Sequence, residues 1–312
     1  MFRQDRTNPS TAVSNWRGRH DTPKAWPSSA VSSWLNGGLF GADPFTAFGG
    51  IITQYEDSGT TYRVHTFRGS GKFVVVAGAA DVDWLIVAGG GASGCAGGGA
   101  GGMTTGTAFA ASTTSGDSGT AVHSIVVGTG GLNGGNNANT AGAANGNNST
   151  ALGQTTVLGG GFGMSGASES VATTGVGSGG GAYFTGSVGI GTAGQGNDGS
   201  GVGQMGGGGG KGEDGGTDGA YHGGDGATGY GITSATPYYA GGGAGSDYNT
   251  GTVYPGGQGG GGDGGSETTN KDGNSGVPNT GGGAGGGDVT PVVGNGADGG
   301  AGIVIIRYAV AA

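Results

Sequence analysis

A lysine behind a run of glycines is the first feature of this sequence that could carry chemistry. Five glycines at 206–210 precede Lys211, and such a run can cradle a phosphate group through its backbone N–H groups. A phosphate loop also requires Ser or Thr after the lysine and a strand–loop–helix context, but Gly212 follows Lys211. The sequence therefore does not predict a nucleotide-binding site at Lys211.

Carboxylates lie close to the same lysine. Residues 209–214 partly resemble a calcium-binding Gly/Asp nonapeptide, and Asp218 and Asp225 follow nearby. Oxygen ligands on tight glycine turns suit Ca²⁺. The position that such a unit fills with an apolar residue is Gly216, and the unit is not repeated in tandem. We expect solvated turn carboxylates here, and we predict neither a metal nor a cofactor.

Residues for nucleophilic or acid–base catalysis are few and scattered. The single cysteine, Cys95, can form no internal disulfide, and paired Cys and His at zinc spacings are absent. The four histidines lie far apart in the sequence, without a recognisable catalytic arrangement around them. They are His20, His65, His123 and His222. We predict no catalytic residues and a protein that is not an enzyme.

Aromatic residues stand in the inserts between the glycine tracts. Exposed Tyr on a rigid scaffold suits contacts with sugars and proteins, whereas packed rings would supply the apolar contacts that a glycine bundle lacks. Packing is the expectation for most of these rings, and a receptor-contacting group among them stays open. The candidates for receptor contact are Tyr183, Phe184, Tyr221, His222, Tyr238, Tyr239, Tyr248 and Tyr254.

The first 34 residues hold three of the four tryptophans, interleaved with proline and arginine. Trp and Arg are enriched at interface hot spots, so this segment is predicted to dock on another subunit. The alternative, that the rings pack on their own domain, stays open. The docking candidates are Trp16, Arg17, Arg19, Trp26 and Trp34.

Glycine dominates the composition, with 88 of 312 residues, and 78 of them lie between residues 86 and 302. Ordering so much glycine costs backbone entropy, so a flexible linker is one alternative for the middle of the chain. The glycine tracts carry few charges and little proline, and they lack the strict every-third-residue glycine of collagen. We expect extended helices of the polyglycine II type, packed side by side through backbone hydrogen bonds.

Alternating apolar residues bracket this glycine-rich middle. Residues 51–88 predict three or four antiparallel strands, 122–127 a further one, and 302–308 a central strand that pairs with the first ones. The predicted fold is therefore all-β, with an antiparallel sheet or sandwich built from strands near both ends. The expected organisation is a docking arm at 1–48, a β-strand region at 49–128, a glycine-rich polyglycine II-like region at 129–301 and a closing strand at 302–312.

The net charge of −9 is unevenly distributed. Residues 1–48 hold five basic and three acidic residues, a charge of +2, so the remainder carries −11. An acidic main body argues against binding to nucleic acid. Residues 1–9 are polar and no run of 18 apolar residues occurs, so neither a secretion signal nor membrane insertion is expected. A secreted silk-like or cell-wall protein, which would need that signal and longer uniform repeats, fits less well.

The stretch that encloses the glycine-rich region opens with SGKFVV at 70–75 and VDWLIVAGGG at 82–91, contains GGGAG tracts and closes with GIVIIRY at 302–308. These motifs resemble the glycine-rich domain of bacteriophage tail-fibre and virion proteins. The resemblance covers about residues 51–308 and implies a marine or cyanobacterial phage. The chain is also similar to phage adhesins in which polyglycine II helices form a sandwich and variable inserts form the binding tip.

This resemblance implies a structural protein on the surface of a phage particle. A tail fibre or fibre-tip adhesin is the main hypothesis, with the N-terminal arm docked on other virion proteins and the glycine-rich domain touching a host-surface glycan or protein. A capsid decoration or head-fibre protein without an essential receptor role is the alternative. The oligomeric state stays open, and the resemblance favours a homotrimer.

Overall fold

The computed structural model describes residues 45–133, 142–166, 175–184, 186–201, 204–246, 251–289 and 293–310. These belong to one compact unit, Phe45–Ala312, whose regular structure is nearly all β. Its strands are β1 (Thr46–Phe48), β2 (Ile51–Asp57), β3 (Thr60–Phe67), β4 (Gly71–Ala77), β5 (Ala79–Val87), β6 (Met103–Ser112), β7 (Val122–Ile125), β8 (Ala227–Thr228), β9 (Tyr238–Tyr239) and β10 (Ile303–Ala309). Within the described ranges, no helix has the length and apolarity needed to cross a bilayer.

Two antiparallel sheets form a sandwich from both ends of the domain. One sheet has five strands in the order β2-β3-β10-β5-β6, and the other has three in the order β1-β4-β7. The closing strand β10 lies between β3 and β5, so the prediction of a central strand at the end of the chain is confirmed. The all-β fold class is likewise confirmed. A small hairpin of β8 and β9 lies within the glycine-rich region.

The central strand β10 is buried on both faces. Val304 and Ile306 belong to the apolar core between the sheets, together with Phe73 of β4. Ile303 and Ile305 point the other way, into a second core that includes Tyr239. Successive side chains of a strand alternate between faces, so the unbroken apolar run of β10 fits a strand covered on both sides.

The glycine tract between β5 and β6 leads away from the sandwich and returns to it. The Gly91 N–H donates to the Gly99 carbonyl at 2.8 Å, and the Ala88 N–H donates to the Gly102 carbonyl at 3.0 Å. The tract reverses direction around Cys95. This turn defines the distal end of the glycine bundle, opposite the sandwich.

Backbone hydrogen bonds in the bundle repeat every three residues. From 97 to 102, consecutive N–H groups donate to three different tracts, and residues three apart donate to the same tract. The pairs are Gly97 and Ala100 to Gly206 and Gly209, Gly98 and Gly101 to Ala284 and Gly281, and Gly99 and Gly102 to Gly161 and Leu158. A threefold repeat with bonds only between tracts is the pattern of polyglycine II packing, as the sequence predicted.

This packing requires glycine because the tracts touch backbone to backbone. A Cβ atom at Gly243 would overlap the carbonyl oxygen of Ala284, and one at Gly285 would overlap that of Asp263. The bonds between tracts satisfy buried N–H and C=O groups that would otherwise be costly to bury. The described glycine tracts are therefore an ordered core built mainly from backbone atoms.

Candidate binding surface

Aromatic residues gather at the distal end of the bundle. Cys95 and Met205 are fully buried there, and Tyr183, Phe184 and Tyr221 pack on them while staying half-exposed. The Cys95 thiol donates to the Met164 carbonyl at 3.2 Å. Buried sulfur atoms from the glycine tracts thus form the base on which the rings lie.

The rings also contact one another. The centroids of Tyr183 and Phe184 are 4.6 Å apart, and so are those of Tyr221 and Tyr254. The imidazole of His222 lies 5.9 Å from the Tyr254 ring. We call these five half-exposed residues the distal aromatic patch. The structure therefore brings together five of the eight receptor-contact candidates.

Backbone bonds fix the patch on the bundle. The Gly245 N–H donates to the Tyr221 carbonyl at 2.7 Å, and the Gly264 N–H donates to the Tyr254 carbonyl at 3.0 Å. Each of these rings is therefore held next to a glycine tract by its own main chain. A surface that is already ordered loses little conformational entropy when it binds a partner.

The remaining receptor-contact candidates lie elsewhere. Tyr239 is only 5% exposed, beside Met103 in the second core, so its side chain is excluded from the surface. Its hydroxyl donates to the Tyr230 carbonyl at 3.1 Å, and burial raises its pKa to about 12. Tyr238 is exposed, but it belongs to the β8–β9 hairpin near the sandwich. Tyr248 lies outside the described residues.

The predicted docking residues also lie outside the described part of the chain. They are Trp16, Arg17, Arg19, Trp26 and Trp34. The structure therefore neither groups nor separates them.

The three glycines directly before Lys211 use their N–H groups within the bundle. The Gly208 N–H donates to the Gly243 carbonyl, the Gly209 N–H to the Gly179 carbonyl and the Gly210 N–H to the Glu213 backbone carbonyl. The Lys211 ammonium donates to the Gly194 carbonyl at 2.7 Å. This run is a packed tract in the structure, in agreement with the rejection of a phosphate loop.

Three carboxylates meet near the same tract. Oxygen atoms of Glu213, Asp218 and Asp225 lie within 4.8 Å of one another. Two of these groups already accept backbone N–H groups, since Asp225 Oδ1 accepts that of Gln258 at 2.6 Å and Glu213 Oε1 accepts that of Asp225 at 3.2 Å. Their hydrogen bonds give them a role in the backbone network.

Other aspartates of the bundle also accept backbone N–H groups. Asp298 Oδ1 accepts the Asn133 N–H at 2.7 Å, and Asp272 Oδ1 accepts the Asn295 N–H at 2.7 Å. Each carboxylate takes the place of a neighbouring carbonyl and satisfies an N–H group. Asp198 and Asp263 make equivalent bonds. The expectation of solvated turn carboxylates concerned the group near Lys211, and it did not include the backbone N–H groups that Glu213 and Asp225 accept.

Two histidines are buried between the sheets instead of lining a cleft. His65 Nδ1 lies 2.8 Å from the Gly49 carbonyl oxygen, and His123 Nε2 lies 3.1 Å from Ser115 Oγ. Both rings contact Phe73. Burial lowers the pKa of His65 and of His123. The contacts of these two rings are those of packed core residues.

Comparison with known proteins identifies a family. The model of a family described as a glycine-rich domain matches residues 66–309. No curated protein matches the chain. The matched residues include the central strand β10 and all the described glycine tracts.

Proposed function

We propose that this chain, a member of the glycine-rich domain family, is a structural protein of a bacteriophage particle and binds a host-surface glycan or protein through the distal aromatic patch. The observation that carries the proposal is the position of this patch. It lies at the end of a backbone-bonded bundle, opposite the sandwich, with Tyr221 and Tyr254 half-exposed. A tail fibre or fibre-tip adhesin needs such an ordered surface at its outer end.

The chemistry of the patch supports a binding role. Tyrosine and phenylalanine rings offer apolar faces to sugars and to apolar side chains, and tyrosine adds a hydroxyl group for hydrogen bonding. The docking arm was predicted at 1–48, but β1 occupies Thr46–Phe48. In this proposal residues 1–44, with their Trp and Arg residues, attach the protein to other virion proteins. The protein would then lie on the virion surface.

Binding to host cells tests the role of the patch. Tyr221→Ala combined with Tyr254→Ala should weaken adsorption of the purified protein at least about tenfold, because a hot-spot aromatic contributes more than about 1 kcal/mol. Tyr238→Ala is the matched control, since this exposed tyrosine lies outside the patch. Equal loss in both variants, or none in either, would count against the patch.

Labelling of purified virions tests the location. Gold-tagged antibody against the protein should mark the tail in electron micrographs. Label spread over the capsid would instead favour a decoration or head-fibre protein, and the adhesin role would then be abandoned.

A further inference from the structure

One side of the sandwich ends in two edge strands with apolar residues on their surface. Strand β1 is the edge of the three-stranded sheet and β2 is the edge of the five-stranded sheet. Phe48, Ile51 and Ile52 are 55%, 52% and 43% exposed at this side. A groove of about 370 Å³ lies between the two strands, lined by residues that include Phe48, Ile52 and Arg63.

Strand β2 lacks the backbone irregularities of the opposite edge. It pairs with β3 over seven residues without a shift of register. The opposite edge strand, β6, has a register irregularity at Val82/Trp84 in its pairing with β5, and its Ala108 has a φ of 55°. Bulges and irregular backbone discourage strand addition, whereas a regular edge with apolar residues invites it.

The charges around β2 favour one occupant of this edge. Glu56 and Asp57 are exposed at its C-terminal end. Arg68 and Lys72 are exposed near its N-terminal end. Arg68 lies two residues beyond Thr66, the partner of Ile51, and the Lys72 carbonyl oxygen lies against Gly49, two residues before Ile51. Among the described residues, neither of these two cations forms an ion pair. The edge therefore carries opposite charges at its two ends.

We propose that two copies of this chain associate through their β2 edges, antiparallel and about a twofold axis. In that orientation the acidic end of each β2 faces Arg68 and Lys72 of the other copy, whereas a parallel arrangement would place like charges together. The backbone groups at the open side of β2 would pair, and Ile51 and Ile52 would leave water. This contact uses residues remote from the distal aromatic patch.

Charge reversal tests the pairing on the purified full-length chain. Analytical ultracentrifugation should show a monomer–dimer equilibrium for the wild type. Glu56→Lys with Asp57→Lys should weaken self-association at least about tenfold, and so should Arg68→Glu with Lys72→Glu, because each places like charges across the axis. All four side chains are exposed, so both variants should keep the wild-type melting temperature at concentrations where the wild type is monomeric.

A mixture of the two variants is the decisive measurement. Mixed in equal amounts, they should form a heterodimer of wild-type affinity, since both ends of the contact then join opposite charges. A wild-type chain that stays monomeric, a trimer, or a mixture that fails to associate would each overturn the proposal. Unchanged dimerisation of the two separate variants would overturn it as well.

Discussion

The guanidinium carbon of Arg307 lies 4.1 Å from the centre of the Tyr230 ring. Arg307 belongs to the central strand β10, and Tyr230 lies between β8 and β9 of the glycine-rich region. The Tyr62 ring lies 4.7 Å from the same carbon. Arg307 also donates to Asp83 Oδ2 at 3.1 Å and to the Tyr55 hydroxyl at 2.8 Å. One side chain therefore joins the sandwich to the β8–β9 hairpin.

Removing this side chain should destabilise the domain. We expect Arg307→Ala to lower the free energy of unfolding by about 2 kcal/mol, since it removes two ring contacts and two hydrogen bonds. Arg307→Lys should recover only part of the loss, because an ammonium group lacks the planar fork of guanidinium. Urea denaturation measures both values. The exposed Asp81→Ala should change stability by less than about 0.5 kcal/mol, and equal effects at both positions would contradict the prediction.

Adding one methyl group by a Gly→Ala substitution should lower the stability at a closely packed glycine and not at one with open space around it. We expect Gly243→Ala to destabilise the domain by at least about 2 kcal/mol, because the new Cβ would overlap the Ala284 carbonyl oxygen. Gly69→Ala is the matched control, since a Cβ there would meet no atom within 4 Å. Thermal unfolding of both variants measures the two changes in stability. Equal tolerance of the two changes would mean that the tracts are not closely packed.

Removing an aspartate side chain that accepts a backbone N–H group should lower the free energy of unfolding. Replacing that aspartate by asparagine should lower it less. We expect Asp298→Ala to cost about 1–2 kcal/mol, because the Asn133 N–H loses its acceptor. Asp298→Asn keeps an acceptor oxygen and should cost less. The exposed Asp218→Ala should be nearly neutral. If all three variants unfold at the same denaturant concentration, the carboxylate has no structural role.

Acidification should weaken the sandwich through His65 and His123. Burial holds the pKa of each below the ordinary value of 6.5 in the folded state. As the pH falls below about 6.5 the unfolded chain binds more protons than the folded one, so the free energy of unfolding decreases; above that pH the contribution is constant. Urea denaturation at pH 7.5 and 5.5 measures the change. His65→Gln with His123→Gln should flatten it, and an unchanged slope in that variant would refute the assignment.

The sequence predicted the sandwich well where side chains alternate. Strands β2, β3, β4 and β5 lie in the stretch predicted to hold three or four strands, and the unbroken apolar run of β10 identified a central strand. Strand β6 was missed because Met103–Ser112 is rich in Thr and Ala and interrupted by Gly106. Its conformation depends on pairing with β5, which no local pattern reveals.

The neighbours of each glycine tract could not be predicted. Bonds between tracts join backbone atoms, so the sequence of Gly97–Gly102 holds no information about its pairing with Gly281 or Leu158. For the same reason the grouping of Tyr183 with Tyr221, 38 positions later, was not predictable. The burial of Tyr239 was not predictable either, because the local sequence around a tyrosine in an insert does not distinguish a buried ring from an exposed one.

The three-directional bonding of the bundle has a mechanical consequence. When a two-stranded ribbon is pulled apart at one end, its hydrogen bonds break one after another. Tract 97–102 is instead held by tracts on three sides, so tension along it loads several bonds at once in shear. We expect the bundle to act as a stiff rod under axial load, even though glycine is the most flexible residue in an isolated chain.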